Sequence, residues 1–195
     1  MKKVRAAAFA SGTGSNFQAI MEAEGLPIEV VLLVCDKPGA GVLEKAERFG
    51  VNASVFEPKS YESKSAYEQE LIAELNGAGV EWIFLAGYMR IVGPDLLGAF
   101  EGRIINIHPS LLPAFPGKDA IGQAYQAGVD TTGVTVHFID EGIDTGPIIA
   151  QEPVAVFPGD TEQQVKERIQ QVEHRLYPQV IRQLLKETTY EDKTK

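Results

Sequence analysis

Apolar residues along the chain gather into short runs separated by glycine, proline and charge, and the length and flanks of each run predict its element. Val4 to Ala10 is the first, bounded by charge on one side and by Ser11-Gly12-Thr13-Gly14-Ser15-Asn16 on the other. Phe17, Ile20 and Met21 follow at helical spacing, so the opening reads as strand, glycine-rich turn, helix. Glu29 to Cys35 is almost wholly β-branched or leucine, as expected of a central parallel strand. Val42 to Phe49 predicts a helix stopped at Gly50, and Ala53 to Phe56 a short third strand. About Ser65 to Asn76, Leu71, Ile72 and Leu75 share a helical face that ends at Gly77. Trp82 to Leu85 predicts a fourth strand, Gly87 to Gly93 a loop, and Pro94 the start of a short helix to about Phe100.

The fifth run, Ile104-Ile105-Asn106-Ile107-His108, ends against Pro109, which keeps His108 out of helical conformation. Side chains two apart on a strand share a face, so Asn106 and His108 are expected to point the same way. Pro109 to Lys118 holds three prolines and a glycine and predicts a stiff loop. Ala120 to Ala127 predicts a helix closed by Gly128. Thr132 to Ile139 and Ile148 to Val156 predict two strands joined by the acidic, glycine-bearing loop 140–147, most simply an antiparallel addition. Thr161 with Gln164 forms a capping box for the last helix. Its apolar stripe is Val165, Ile169, Val172 and Leu176, continued by Val180, Ile181 and Leu184; Pro178 is expected to kink or divide it. Glu173 and His174 flank that stripe, where most side chains are solvated. The charged tail 186–195 is expected to fray. Strands alternating with helices predict one α/β domain over 1–195, with a Rossmann-like, mostly parallel twisted sheet. Helices would cover both faces, and the C-terminal portion would be mixed and partly antiparallel.

Composition narrows the class. With 195 residues, 44% hydrophobic and 23% charged, the chain can bury a sizeable core. A net charge of −9 argues against nucleic acid or an anionic membrane as partner, because both would repel it. Cys35 is the only cysteine, so no intrachain disulfide forms. The N-terminal apolar run is too short for a signal peptide, and a cytoplasmic protein is expected.

The candidate chemistry follows strand ends. Gly12 and Gly14 precede a helix start, where backbone amides and the helix dipole favour an anion such as phosphate. Position 17 is Phe17 where the dinucleotide fingerprint needs glycine, and Gly-Lys-Ser/Thr is absent, so a phosphate or carboxylate monoester is favoured over a dinucleotide. The alternative is a tight turn without ligand. Gly12 to Asn16, Met89 to Val92, and Asn106 with His108 all follow strands, so they can converge on one crevice. An amide beside an imidazole can polarise a carbonyl; the alternative is a loop anchor. His108, His137 and His174 lie on separate elements without metal spacing, so no metal is expected. Ser110 lacks a nucleophile elbow, and Cys35 reads as packing. A carboxylate near His108, with Asp144 the candidate, would favour the charged imidazole and fix its tautomer. The alternative is a turn aspartate, and spacing alone does not bring Asp144 to the histidine.

Four motifs occur in order: Ser11-Gly12-Thr13-Gly14-Ser15-Asn16, Ala86-Gly87-Tyr88-Met89-Arg90-Ile91, Asn106-Ile107-His108-Pro109-Ser110-Leu111-Leu112-Pro113, and the stretch from His137 to Pro147. Together they resemble the phosphoribosylglycinamide formyltransferases, folate-dependent enzymes of purine synthesis, over Val4 to about Leu185. The Asn, His and Asp set is shared with methionyl-tRNA formyltransferase, which adds a C-terminal barrel, and formyltetrahydrofolate hydrolase, which adds an N-terminal regulatory domain. This chain is expected to have room for neither. The resemblance implies transfer of a formyl group from 10-formyltetrahydrofolate, as co-substrate, to glycinamide ribonucleotide. Gly14, Ser15 and Asn16 would hold the substrate phosphate, and Glu173 would meet its glycinamide end. Met89, Arg90, Ile91 and Val92 would line the folate pocket, with Asn106 beside it and Asp140, Glu141, Gly142, Ile143 and Asp144 as its other wall. Lys64 stands near the folate tail where many relatives carry arginine. Asn106 and protonated His108 would stabilise the oxyanion, with Asp144 orienting His108. Small molecules are thus the expected partners, and the chain a monomer or homodimer. The alternatives are a formyltetrahydrofolate hydrolase and a non-catalytic phosphate-binding module.

Overall fold

A computed structural model describes residues 3–191. Its backbone groups into two compact units, Met1–Ile105 and Asn106–Lys195. The strands form a seven-stranded, mostly parallel sheet in the order β3-β2-β1-β4-β5-β6-β7, with helices around it. The boundary between the units falls inside β5 (Ile104–His108).

In the first unit, β1 (Val4–Ala10) pairs in parallel with β2 (Ile28–Cys35) and with β4 (Trp82–Leu85), and β2 pairs in parallel with β3 (Asn52–Val55). Ala6 to Ala10 are fully buried, which is why this run shows no polar alternation: a central parallel strand is covered on both faces. Its alanines leave room for larger neighbours. Phe17 of α1 (Ser15–Glu22), Leu33 of β2, and Val42 and Ala46 of α2 (Gly41–Arg48) pack with Ala8 and Ala10 in one cluster. Phe17 meets Phe49 edge to face with centroids 6.1 Å apart; burying such a ring contributes about 1.5–3 kcal/mol.

The third helix, α3 (Lys64–Gly77), departs from expectation in one way. Its buried side is Tyr67, Glu68, Leu71 and Leu75, with Ile72 only half-buried, so a carboxylate sits on the face read as apolar. The helix ends at Gly77, as expected. It is Gly79, at φ 67°, that takes the left-handed position and donates its N–H to the Asn76 carbonyl. The six-residue α4 (Pro94–Ala99) completes the unit, with Pro94 in its first turn.

In the second unit, β6 (Thr131–Phe138) and β7 (Ile148–Ala155) pair antiparallel from Thr131 opposite Ala155 to His137 opposite Ile148, as the acidic connecting loop predicts. Pro153 is tolerated because β7 is the last strand in the sheet order. α5 (Ala120–Gln126) is followed by Gly128 at φ 67°. α6 (Glu162–Glu191) packs on β6, β7 and α5 and runs unbroken through Pro178, which does not divide it. Its buried face is Val165, Ile169, Glu173, Leu176, Tyr177, Val180, Ile181 and Leu185, while Val172 and Leu184 are half-buried. Glu173 thus belongs to the inward face rather than a solvated flank, since it falls four residues after Ile169 and seven before Val180. Of the tail expected to fray, 192–195 lie outside the described residues. Among the described residues no helix is long and apolar enough to cross a membrane.

The capping box of α6 is reciprocal: Gln164 N–H donates to Thr161 Oγ1 at 3.2 Å, and Thr161 N–H to Gln164 Oε1 at 2.8 Å. Thr161→Ala removes the hydroxyl half of this exchange and should cost about 1 kcal/mol of stability, read as a lower urea midpoint with an unchanged slope.

Candidate active site

In the second unit, β5 delivers Asn106 and His108 on one side of the strand, and two further side chains complete the group. His108 Nδ1 lies 3.5 Å from Asp144 Oδ2, and His137 Nε2 lies 3.7 Å from Asp144 Oδ1. Asn106 Nδ2 is 3.3 Å from His137 Nε2. Asp144 sits at φ 54°, a conformation that costs a non-glycine residue of order 1 kcal/mol or more. The Gly117 N–H holds it there, donating to Oδ2 at 2.7 Å. Gly146 permits the bend of this loop, because a Cβ there would run into the Phe138 carbonyl oxygen.

Protonation roles follow from the partners. His108 Nε2 is 2.9 Å from the Phe115 carbonyl, which only accepts, so Nε2 carries a proton. Both ring nitrogens of His108 therefore face oxygen acceptors. His137 is fully buried, and Nδ1 donates to the Phe138 carbonyl at 2.8 Å. Burial pushes its pKa down, against the opposing pull of that hydrogen bond and of Asp144. A neutral His137 protonated on Nδ1 offers its Nε2 lone pair to Asn106. That acceptor selects the flip of the Asn106 amide, with its NH2 towards His137.

The stiff loop after His108 is tied down from below. Thr135 Oγ1 donates to the Ser110 carbonyl at 2.7 Å and accepts from Leu112 N–H and Gln151 Nε2. Ser110 Oγ donates to the Ala114 carbonyl at 2.6 Å, a loop-locking role. Asp140 Oδ1 accepts from Thr145 Oγ1 and Gly142 N–H, and these bonds hold its carboxyl below the usual range. The turn so formed leaves Glu141, Gly142 and Ile143 exposed, Ile143 at 54%. Glu173 is buried on α6.

In the first unit, Gly14 caps α1 at φ 76°, with Val42 Cβ only 2.7 Å from where its own Cβ would lie. A side chain there is excluded twice, by strain and by α2. Glycine supplies no capping oxygen, and the first turn of α1 carries no acidic residue. Asn16 Oδ1 is buried with no hydrogen-bond partner among the described residues. The uncapped first-turn amides suit an anionic group, and the Asn16 side-chain carbonyl oxygen a ligand hydrogen-bond donor. The loop after β4 is anchored by Met89 N–H to Ser11 Oγ at 2.9 Å and by Arg90 Nε to the buried Asp36 Oδ2 at 2.9 Å. Lys64 Nζ donates to the Ile91 carbonyl at 2.9 Å. Met89 and Ile91 are 60% and 53% exposed, and Val92 is buried. Among the described residues no three His, Cys, Asp or Glu side chains are placed to hold a metal ion.

A family model described as Formyl transferase matches residues 4–181. The chain belongs to the formyl transferase family. It is 56% identical to phosphoribosylglycinamide formyltransferase of Bacillus subtilis over 188 residues, 95% of either chain. It is also 40% identical, over 192 residues, to the trifunctional purine biosynthetic protein adenosine-3 of Drosophila melanogaster, covering 14% of that longer protein. Among solved structures, glycinamide ribonucleotide transformylase 1 of Geobacillus kaustophilus superposes with a TM-score of 0.92 at 62% identity, covering 94% of this chain and 99% of that one. The family resemblance and the expected α/β fold are both borne out.

For this formyl transferase, geometry adds what spacing lacked. Asp144 reaches His108 within the second unit, where Asn106 and His137 join them. Within the first unit Ser11, at the start of the glycine loop, touches Met89. Arg90 and Lys64 turn their charges onto Asp36 and Ile91, so their first engagement is with the protein itself. His137 escaped the sequence reading, which weighed it only as a metal ligand. The available signal was a histidine next to the last residue of β6, just before the Asp140–Asp144 loop.

Because native His137 resists protonation while the unfolded chain takes up a proton near the ordinary 6.5, stability is lost as pH falls below 6.5. His137→Gln should flatten the decline in Tm between about pH 6.5 and 5 relative to the parent protein, measured by calorimetry.

Proposed function

We propose that the chain transfers the formyl group of 10-formyltetrahydrofolate to the amine of glycinamide ribonucleotide, in cytoplasmic purine biosynthesis, acting as a single formyltransferase domain. The observation that carries this reading is the Asp144 carboxylate within ion-pair distance of His108, beside an Asn106 amide oriented by His137. Relatives named for this activity, matched over nearly their whole length, support it.

The substrate amine attacks the formyl carbon, forming the new C–N bond and placing negative charge on the formyl oxygen. Asn106 N–H and His108 N–H donate to that oxyanion, each worth a few kcal/mol in such sites. The Phe115 carbonyl already occupies an acceptor position at His108 Nε2; an oxyanion arriving there exchanges one oxygen acceptor for a more basic one. Asp144 holds the imidazole through Nδ1 and balances its charge. The bond to folate nitrogen then breaks, and the proton lost by the amine reaches that nitrogen through His108 or a water. Gly14, Ser15 and Asn16 bind the substrate phosphate and Glu173 its glycinamide end. Met89 to Val92, Asp140 to Ile143, and Lys64 serve the folate.

Two assays test this. Loss of the formyl group from 10-formyltetrahydrofolate should require glycinamide ribonucleotide; loss without it identifies a hydrolase, and no loss in either case a phosphate-binding module. Asp144→Asn should lower kcat at least about 100-fold while shifting glycinamide ribonucleotide affinity only a fewfold. Unchanged turnover would remove Asp144 from the mechanism.

A further inference from the structure

The start of α4 poses a hydrogen-bonding problem that its own sequence leaves open. Its N-cap is Gly93, which has no side chain to accept from the first turn, and Pro94 contributes no N–H. The Leu96 N–H, normally satisfied by the capping residue, needs an acceptor from elsewhere. Glu68 of α3 supplies it. Its carboxylate accepts Gly93 N–H at 2.6 Å on Oε1 and Leu96 N–H at 3.2 Å on Oε2, and the residue is 2% exposed. A negative charge at this helix end also meets the positive end of the dipole.

One turn earlier on the same face, Lys64 donates to the Ile91 carbonyl, and Ser65 Oγ donates to Asp95. The approach is close enough to specify the residue opposite. A Cβ on Gly93 would lie 2.7 Å from both Glu68 Oε2 and Lys64 Cδ, although Gly93 itself has an ordinary φ of −84°. A side chain at Gly93 would therefore displace the ends of Glu68 and Lys64 from the clamp, so the glycine suits the clamp rather than a special backbone conformation. Between its pins the loop presents Met89 and Ile91, both largely exposed, with backbone groups of residues 89, 91 and 93 and the Arg90 side chain holding it.

We infer that Lys64 and Glu68 are positioning residues that hold the Met89–Gly93 loop in its folate-binding shape. On this inference Lys64 acts through the Ile91 carbonyl rather than through the folate's glutamate tail. The inference rests on the folate reading of that loop. Pre-setting the loop removes an ordering cost that ligand binding would otherwise meet.

The test uses Lys64→Met and Glu68→Gln, with titration calorimetry against tetrahydrofolate and against tetrahydropteroate, which lacks the glutamate tail. Lys64→Met should weaken both ligands by the same factor, about five- to tenfold, and Glu68→Gln both by about tenfold or more. The KM for glycinamide ribonucleotide should stay within about twofold in either variant. Weakening confined to tetrahydrofolate would assign Lys64 to the tail and overturn the inference, as would unchanged affinity for both ligands. Hydrogen exchange reads the clamp without folate: amides of Gly93 and Leu96 should exchange faster in Glu68→Gln while those of β4 do not. If the parent protein bound neither ligand, the folate reading would fail, and unchanged exchange at Gly93 and Leu96 would separately overturn the clamp.

Discussion

The carboxylate of Asp144 is the acceptor around which the polar side chains at the end of β5 gather. It faces His108 and His137 and takes a hydrogen bond from Gly117, while its own backbone sits in the left-handed region. An aspartate adopts that conformation more readily than most residues, yet at a cost, and the surrounding loop has to hold it. Gly146 lets the chain pass the Phe138 carbonyl, and Asp140 ties the turn through Thr145 and Gly142. Strain at one residue is thus offset by hydrogen bonds at its neighbours. The result is a carboxylate whose position is fixed before any substrate arrives.

The histidines divide the labour by environment. His137, buried and neutral, acts as an acceptor that orients Asn106, whereas His108 faces oxygen acceptors on both nitrogens. Two chemically identical rings take different roles because their polar partners differ: His137 meets the Phe138 carbonyl and the Asn106 amide, and His108 the Phe115 carbonyl and Asp144. Loop 109–118 participates as scaffold: Thr135 and Gln151 fasten it through Ser110 and Leu112.

In the first unit the same logic recurs with ion pairs and caps. The loop after β4 owes its shape to residues distant in sequence: Ser11, Asp36, Lys64 and Glu68. Its exposed apolar side chains are held out by a backbone with little freedom. The charged residues Arg90 and Lys64 already hold protein partners, Asp36 and the Ile91 carbonyl.

The sequence by itself determined the order and kind of the elements. Hydrophobic run length, glycine and proline punctuation and the capping box are local signals, and the strands and helices they predict lie within a residue or two of those found, except that α6 runs on to Glu191. Local signals also set Gly14 as a glycine and Asn106 and His108 on one face. The motifs sufficed for the family. Other features were decided by tertiary structure alone, because they depend on what packs opposite a position. Glu68 and Glu173 lie on buried helix faces, and α6 absorbs Pro178 without dividing. The reach of Asp144 to His108 was of the same kind. Thirty-six positions separate them, and no periodicity relates two loops that meet only when β5 and β6 have folded.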